Sequence, residues 1–160
     1  NNKKSKIMAT TTASITLSSS DILSNAISLS KTSTLYHDNT TATGLTQYKS
    51  GRVNVYVTGG SFDLIPALAS EEASATNSYV YICNKNTTAA NYVTISIYNE
   101  VIGRLYAGDF MFIPWEQNDP VGDNGSDNDI EVEAFVGGPQ AIEWMMFTDS
   151  TATILDASGD

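Results

Sequence analysis

The chain has 160 residues, with 8 Lys and Arg against 18 Asp and Glu, for a formal net charge of -10. This length suits one domain with a proper core, because globular domains run to about 100–200 residues. The excess of acid argues against nucleic acid as a direct partner, since phosphate binding needs clustered Lys and Arg. No apolar run reaches the ~18 residues that a membrane-spanning helix needs, and a single cysteine, Cys83, cannot form an intrachain disulfide.

Hydroxyl side chains replace the missing charge. Serine and threonine occur 18 times each, and 16% of the residues are charged, against about 25% in an average soluble domain. Because 41% of the residues are hydrophobic, the composition favours a folded, β-rich domain over a disordered chain.

The first residues are polar and basic. Residues 1–11 are predicted to form a flexible N-terminal arm that carries Lys3, Lys4 and Lys6. Met8 is followed by Ala-Thr-Thr-Thr, which is typical of a bacterial or phage start, and a second interpretation places the initiator there. The residues after the lysines are rich in Ser and Thr rather than apolar, so the pattern does not favour a secretion signal.

Two hydroxyl-rich strands are predicted next. Ile15 and Leu17 alternate with hydroxyl residues, and the segment 27–36 does the same with Ile27, Leu29 and Leu35. A period of two with hydroxyls on one side predicts half-buried strands whose hydroxyls face outward.

The remaining chain repeats short alternating segments that end at turn residues. The further predicted strands cover residues 53–58, 62–65, 79–83, 92–98, 101–105, 110–115, 130–136 and 141–147. The only helix-prone stretch, 67–75, lacks a sustained 3.6-residue stripe. The pattern therefore predicts an all-β, antiparallel β-sandwich of jelly-roll type over residues 12–148, with eight to ten short strands and little helix. An acidic C-terminal tail is expected over 149–160.

The acidity is concentrated in the second half, where 13 acidic residues and only one base, Arg104, follow from Glu100 onward. An acidic loop over 119–129 contains the oxygen ligands that Ca²⁺ prefers, with Asp123, Asp127 and Asp129 as metal candidates. The loop lacks the register of an EF-hand, so a solvated loop without metal is the other interpretation. We expect no cofactor.

Three constellations of reactive side chains have ordinary structural explanations. Cys83 lies within an apolar strand and His37 at the edge of a loop, so a Cys/His nucleophilic pair is not expected. Glu131 and Glu133 share one strand face, a spacing that glycoside hydrolases use, although an exposed sheet face produces the same pattern. We therefore expect no catalytic residues, and a hydrolase that uses either glutamate is a minor alternative.

Several aromatic residues lie on the predicted strands, and most of them are expected to pack in the core or on a sheet face. Trp115, Tyr106 and Tyr98 are the candidates for a binding interface, because Tyr and Trp are enriched at protein–protein contacts. Exposed Trp115 and Tyr106 in one concave patch would instead suit a sugar-binding surface.

Three segments carry a resemblance to a known family. They are the opening Met8-Ala-Thr-Thr-Thr-Ala-Ser-Ile-Thr-Leu, the strand Tyr79-Val-Tyr-Ile-Cys-Asn-Lys-Asn with Tyr92-Val-Thr-Ile-Ser-Ile, and Ile102-Gly-Arg-Leu-Tyr-Ala-Gly-Asp-Phe-Met-Phe-Ile-Pro-Trp. Over about residues 8–150 the chain resembles small β-sandwich structural proteins of tailed-phage virions. That resemblance implies a head decoration (cement) protein without catalytic residues, located on the capsid surface. A tail or fibre component is implied as the alternative.

The expected function is therefore a non-enzymatic one, in which the chain stabilises a phage head by bridging subunits of the major capsid protein. Self-association is also expected, as a homotrimer by analogy. The expected partners do not include nucleic acid or a membrane. A receptor-binding or carbohydrate-binding sandwich on a tail fibre remains the alternative.

Overall fold

The structure is a computed structural model that describes residues 11–20, 26–36, 45, 47–57, 60–67, 78–116, 128–135 and 138–148. Nearly all of the described chain is β-strand, and every strand pair is antiparallel. The strands are β1 (Thr11–Ser19), β2 (Ile27–Leu35), β3 (Gln47–Val55), β4 (Phe62–Ile65), β5 (Ser78–Asn84), β6 (Tyr92–Ile97), β7 (Glu100–Tyr106), β8 (Phe110–Trp115), β9 (Ile130–Ala134) and β10 (Gln140–Thr148). Within the described ranges, no helix has the length and apolar character that crossing a bilayer demands.

The last eight strands form two four-stranded sheets, in the orders β3-β10-β5-β8 and β4-β9-β6-β7. The pairing is nested, because β3 pairs with β10, β4 with β9, β5 with β8 and β6 with β7. This pairing arises when one long antiparallel hairpin folds over itself. The nested pairing defines the jelly roll. The predicted jelly-roll sandwich is confirmed.

Alternating side chains fill the space between the two sheets. On β9, Ile130, Val132 and Ala134 are buried, while the intervening glutamates are half-exposed. On β10 the even-numbered residues point inward from Gln140 to Thr148. The core cluster contains Val55, Leu64, Ile65, Val80, Ile82, Val93, Ile95, Leu105, Trp115, Ile130, Val132, Ala134, Ile142, Trp144 and Met146.

A glycine makes room for one core tryptophan. Gly51 on β3 lies directly opposite Trp144 on β10. A Cβ atom at Gly51 would lie 2.8 Å from Trp144 Nε1, closer than real Cβ contacts allow. The sequence prediction begins this strand at residue 53, whereas the observed strand starts at Gln47, which pairs with Thr148 of β10.

Buried amides tie the loops together at one end of the sandwich. Asn84 is fully buried, its Nδ2 donates to Leu105 O at 3.1 Å, and its Oδ1 accepts from Asn86 N at 3.0 Å. Asn86 Nδ2 donates to Gln140 Oε1 at 2.9 Å, and Gln140 Nε2 donates to Gly138 O at 2.9 Å. The backbone of Asn84 also bonds to the turn before β8, since Gly108 N donates to Asn84 O at 2.8 Å. One polar network therefore holds the connections before β6, β8 and β10 and favours a single geometry of this end.

The first two strands lie outside both sheets. β1 and β2 pair only with each other, as a separate two-stranded sheet. The predicted sandwich began at residue 12, whereas the observed sandwich begins at β3. The predicted arm 1–11, apart from Thr11, and the predicted tail 149–160 lie outside the described residues.

Candidate interaction surfaces

The outer face of the β4-β9-β6-β7 sheet combines carboxylates with aromatic rings, and we name it the acidic face. Its outward side chains include Asp63, Tyr92, Arg104, Tyr106, Glu131, Glu133 and Phe135, together with the buried Thr94, Ser96 and the exposed Val101. Asp63 lies opposite Glu131 in the register, and Glu133, Thr94 and Arg104 form one cross-strand row. Ser61 Oγ donates to Glu131 Oε1 at 3.3 Å. Three carboxylates and one guanidinium leave this face with net negative charge.

An aromatic cluster occupies one end of the acidic face. The Tyr92 ring lies 5.3 Å from Tyr106 and 5.8 Å from Phe135, the second pair being stacked. Arg104 Cζ lies 4.3 Å from the Tyr92 centroid, within cation–π distance. The pKa of Arg104 is raised above its ordinary value, mainly by a hydrogen bond with Tyr106 and secondly by the electrostatic effect of the nearby Tyr92. Tyr106 and Phe135 are 41% and 45% exposed, so their rings remain open to a partner.

The turn between β6 and β7 presents Tyr98 to solvent. Tyr98 and Asn99 both have positive φ, 58° and 59°, and Ile97 pairs with Glu100 on either side of them. Two positive-φ residues between paired strands form a type I′ turn, where Asn and Gly are favoured. Tyrosine is uncommon in this conformation and costs about 1 kcal/mol there. Because Tyr98 is 52% exposed, packing within the chain does not explain the tyrosine.

The Tyr98→Asn variant should be more stable than the native chain, by about 0.5–1 kcal/mol, because asparagine tolerates positive φ. Urea unfolding followed by circular dichroism measures this difference. An unchanged or lower midpoint would show that Tyr98 is not strained by the turn.

Trp115 is a core residue, and the expectation of an exposed Trp115 beside Tyr106 is wrong. The side chain is 4% exposed and belongs to the core cluster. Its Nε1–H donates to Asn128 O at 3.0 Å, and Asn128 Nδ2 donates to Glu116 O. Trp115 therefore closes the base of the acidic loop. Tyr106 and Tyr98 are 41% and 52% exposed, and their role at an interface stays a prediction.

The outer face of the β3-β10-β5-β8 sheet is strongly apolar, and we name it the apolar face. Its apolar and aromatic side chains are Tyr48, Tyr79, Tyr81, Phe110, Phe112, Met145 and Phe147, and Arg52, Cys83 and Glu143 lie on the same face. Tyr79 stacks on Phe112 at 5.7 Å, and Tyr81 lies 6.0 Å from Phe110. At the two edges of the sheet Tyr48 is 69% exposed and Phe110 is 65% exposed. An outer sheet face of this kind is normally covered, because monomers rarely expose large apolar patches.

The ionisable groups on the apolar face do not make it a charged site. A hydrogen bond with Cys83, together with burial, raises the pKa of Tyr81 to about 12, so the phenol stays neutral. Arg52 Nη2 donates to Glu143 Oε2 at 2.6 Å, and this bond lowers the pKa of Glu143. Arg52 is 65% exposed and Glu143 26%, so water screens the pair and it contributes little to stability.

The β1–β2 hairpin has two different faces. One face consists of eight hydroxyl residues in register: Thr12, Ser14, Thr16, Ser18, Ser28, Ser30, Thr32 and Thr34. Ser14 Oγ and Thr32 Oγ1 are 2.8 Å apart, so these hydroxyls bond across the strands. The other face carries Ala13, Leu35 and Lys31, together with four exposed apolar residues that we name the hairpin stripe: Ile15, Leu17, Ile27 and Leu29. They are 48%, 58%, 43% and 51% exposed. The sequence predicts that these side chains face a core, whereas within one chain about half of each side chain remains open to solvent.

A groove of about 620 Å³ separates the hairpin from the apolar face. Ala13, Ile15 and Leu17 line one side of the groove, and Tyr81 and Phe112 are among the side chains that line the other. The base of the hairpin is anchored, because Thr11 Oγ1 donates to Leu45 O at 3.4 Å and both Leu35 and Leu45 are buried. Ile27 and Leu29 do not line the groove.

The other predicted site residues are structural or lie outside the described residues. Asp129 is 4% exposed and its Oδ1 accepts from Ala67 N, which ties β4 to the start of β9. Asp123 and Asp127 are not among the described residues, which contain no cluster of three metal-ligating side chains. Cys83 is a buried free thiol, and His37 is not described.

The apolar face was not predicted as a surface, although the sequence contains a signal for it. β5 and β8 have large apolar side chains at consecutive positions, as in Tyr79-Val-Tyr-Ile-Cys and Phe110-Met-Phe-Ile. A strand that is apolar on both sides is one that needs both sides covered. No protein-family model matches the chain, and no curated protein matches it either.

Proposed function

We propose that this chain is a non-enzymatic structural protein of a virion, which decorates a tailed-phage head by bridging subunits of the major capsid protein. The acidic face is the surface that carries this proposal. It presents Asp63, Glu131 and Glu133 beside the exposed rings of Tyr106 and Phe135 on a sheet that the sandwich core holds in place.

The chemistry of the acidic face selects a basic partner surface. Its carboxylates complement Lys and Arg side chains, and the net charge of -10 on the whole chain steers it toward positive patches. Aromatic rings such as Tyr106 supply the anchors that dominate the binding energy of protein interfaces. Strands of a packed sandwich lose little conformational freedom on binding, which favours a static contact.

The fold is one that viral capsid proteins use. Jelly rolls occur in viral capsid proteins and also in lectins, and one fold hosts many functions. A carbohydrate-binding or receptor-binding module of a tail fibre is therefore the second candidate, and the Tyr92, Tyr106 and Phe135 cluster is the observation that favours it. Arg104 already covers one face of the Tyr92 ring, which leaves that face closed to a sugar.

Binding to shells of the major capsid protein encoded in the same genome tests the proposal. In a co-sedimentation titration, the native chain should saturate at a fixed copy number per shell. The Glu131→Gln, Glu133→Gln double variant should bind about 5- to 30-fold more weakly, because it removes charge that faces the partner. The Tyr106→Ala variant should bind at least tenfold more weakly, as expected of an aromatic anchor.

The Glu116→Gln variant is the matched control, because Glu116 is an exposed carboxylate that follows β8 of the other sheet and does not line the groove. Its affinity for the shells should equal that of the native chain. Failure of the native chain to bind shells would refute the proposal, and lectin-type binding on a glycan array would favour the second candidate. A copy number of a dozen or fewer per virion would favour a tail or neck role.

A further inference from the structure

We infer that a second copy of this chain covers the apolar face, by docking its hairpin stripe there. This inference deepens the proposed function. It rests on that function in one respect, namely that a decoration protein acts in many adjacent copies. The two surfaces belong to the same polypeptide, so they are present at equal number in any assembly of it.

The structure already shows that the two surfaces match in chemistry. Within one chain, Ala13, Ile15 and Leu17 of the hairpin face Tyr81 and Phe112 across the groove. On the hairpin side the groove is lined by β1 and by Leu35 at the end of β2, and Ile27 and Leu29 do not take part. The groove between the two sides has a volume of about 620 Å³. Packed protein interiors leave few voids larger than a water molecule, so the two sides are not packed together within one chain.

The uncovered apolar area is large enough for a stable contact between copies. The four residues of the hairpin stripe are 43–58% exposed, and Tyr48 and Phe110 at the edges of the apolar face are 69% and 65% exposed. In a twofold dimer each copy contributes both surfaces to the same interface, and these six side chains then leave open roughly 700 Å² per copy, close to the ~800 Å² per partner of a standard protein interface. A single soluble chain rarely leaves this much apolar surface open.

The geometry of the β1–β2 hairpin favours docking on a neighbouring copy of the chain rather than on its own sandwich. Two strands of nine residues extend about 30 Å, and a two-stranded ribbon without a covering layer is marginally stable in water. The hydroxyl face explains why only one side docks, since its side chains bond to each other and suit solvent. Exchange of an identical element between protomers is a low-cost route to a symmetric oligomer.

Sedimentation of the purified chain without capsid protein tests this inference. The native chain should form a discrete dimer or trimer at about 100 µM. The Leu17→Ser, Leu29→Ser double variant changes a directly paired position of the hairpin stripe, and it should be monomeric. The Ser18→Ala, Ser28→Ala variant changes the next pair along, on the hydroxyl face, and it should keep the native mass.

Cross-linking identifies the docking surface. In a Cys83→Ala background, a chain with Leu29→Cys mixed with a chain with Phe110→Cys should give a covalent heterodimer under oxidation. The Ser28→Cys chain, whose thiol lies on the hydroxyl face, should give at least tenfold less. The urea midpoint of every hairpin variant should equal that of the native chain, because the hairpin lies outside the sandwich core. This measurement checks that each variant keeps an intact sandwich.

A monomeric native chain, or an oligomer that survives Leu17→Ser, Leu29→Ser, would overturn the inference. A monomer that still binds shells would leave the proposed function standing and overturn this inference alone. An oligomer that does not bind shells would leave this inference standing and refute the proposed function.

Discussion

The Trp115→Ala variant should lose about 3–5 kcal/mol of unfolding free energy, the usual cost of removing a large buried aromatic side chain. Trp115 is 4% exposed and packs in the cluster shared by both sheets. The change also leaves Asn128 O without the Nε1–H donor at the base of the acidic loop. Urea unfolding by circular dichroism should show a lower midpoint, and Tm should fall by roughly 10 °C.

The Tyr106→Ala variant is the comparison for Trp115→Ala, because Tyr106 is 41% exposed on the acidic face. Its stability should stay within about 1 kcal/mol of the native value, while its affinity for the shells falls. If instead the Trp115→Ala variant kept its stability but did not bind the shells, Trp115 would be an interface residue. That result would contradict the placement of its indole in the core.

The Asn84→Asp variant should be destabilised by about 3–5 kcal/mol at pH 7, because it introduces an unpaired charge at a fully buried position. One carboxylate oxygen can still accept from Asn86 N, as Asn84 Oδ1 does. The other oxygen replaces the Nδ2 that donates to Leu105 O, so two acceptors would face each other. Only the protonated acid can donate there, and this raises the pKa of the new carboxyl in the folded state.

The sign of the pH dependence follows from that raised pKa. The neutral acid is tolerated below the unfolded pKa of an aspartate, about 3.9, and the penalty grows as the pH rises through the folded pKa. The stability difference between native and variant chains should therefore shrink as the pH falls from 7 toward 4. Asn54→Asp, at an exposed position of β3, should show almost no difference; a deficit for Asn84→Asp that is independent of pH would contradict the role given to its amide.

Alternation along single strands was sufficient to predict the sandwich. Ile130, Val132 and Ala134 alternate with glutamates in the sequence and are buried in the structure. Such a pattern reports which face of a strand meets the core. It does not report pairing, so the nested order of the strands rests on contacts between residues far apart in the chain.

Pairing partners explain what the alternation could not predict. The start of β3, from Gln47, lacks an apolar pattern, and its place in the sheet depends on the fit of Gly51 under Trp144. The hairpin was assigned to the sandwich because its alternation is that of any half-buried strand. Whether Leu17 and Leu29 meet the core or lie open depends on tertiary structure alone.

The candidate site was predicted in part, for a similar reason. Tyr98 and Tyr106 are exposed, as a surface role requires, but Trp115 is buried. Aromatic residues at strand ends are compatible with either position, since Tyr and Trp suit both cores and interfaces. Local sequence therefore identifies the residue types of an interface without deciding which of them face the partner.

A cryo-EM reconstruction of phage particles that carry this chain tests the central claim most directly. We predict a jelly roll at a lattice position on the outer surface of the head, with its acidic face against the major capsid protein. The hairpin stripe of each copy should lie on the apolar face of its neighbour. Density for this chain only in the tail, or a head position with the acidic face turned to solvent, would contradict the account.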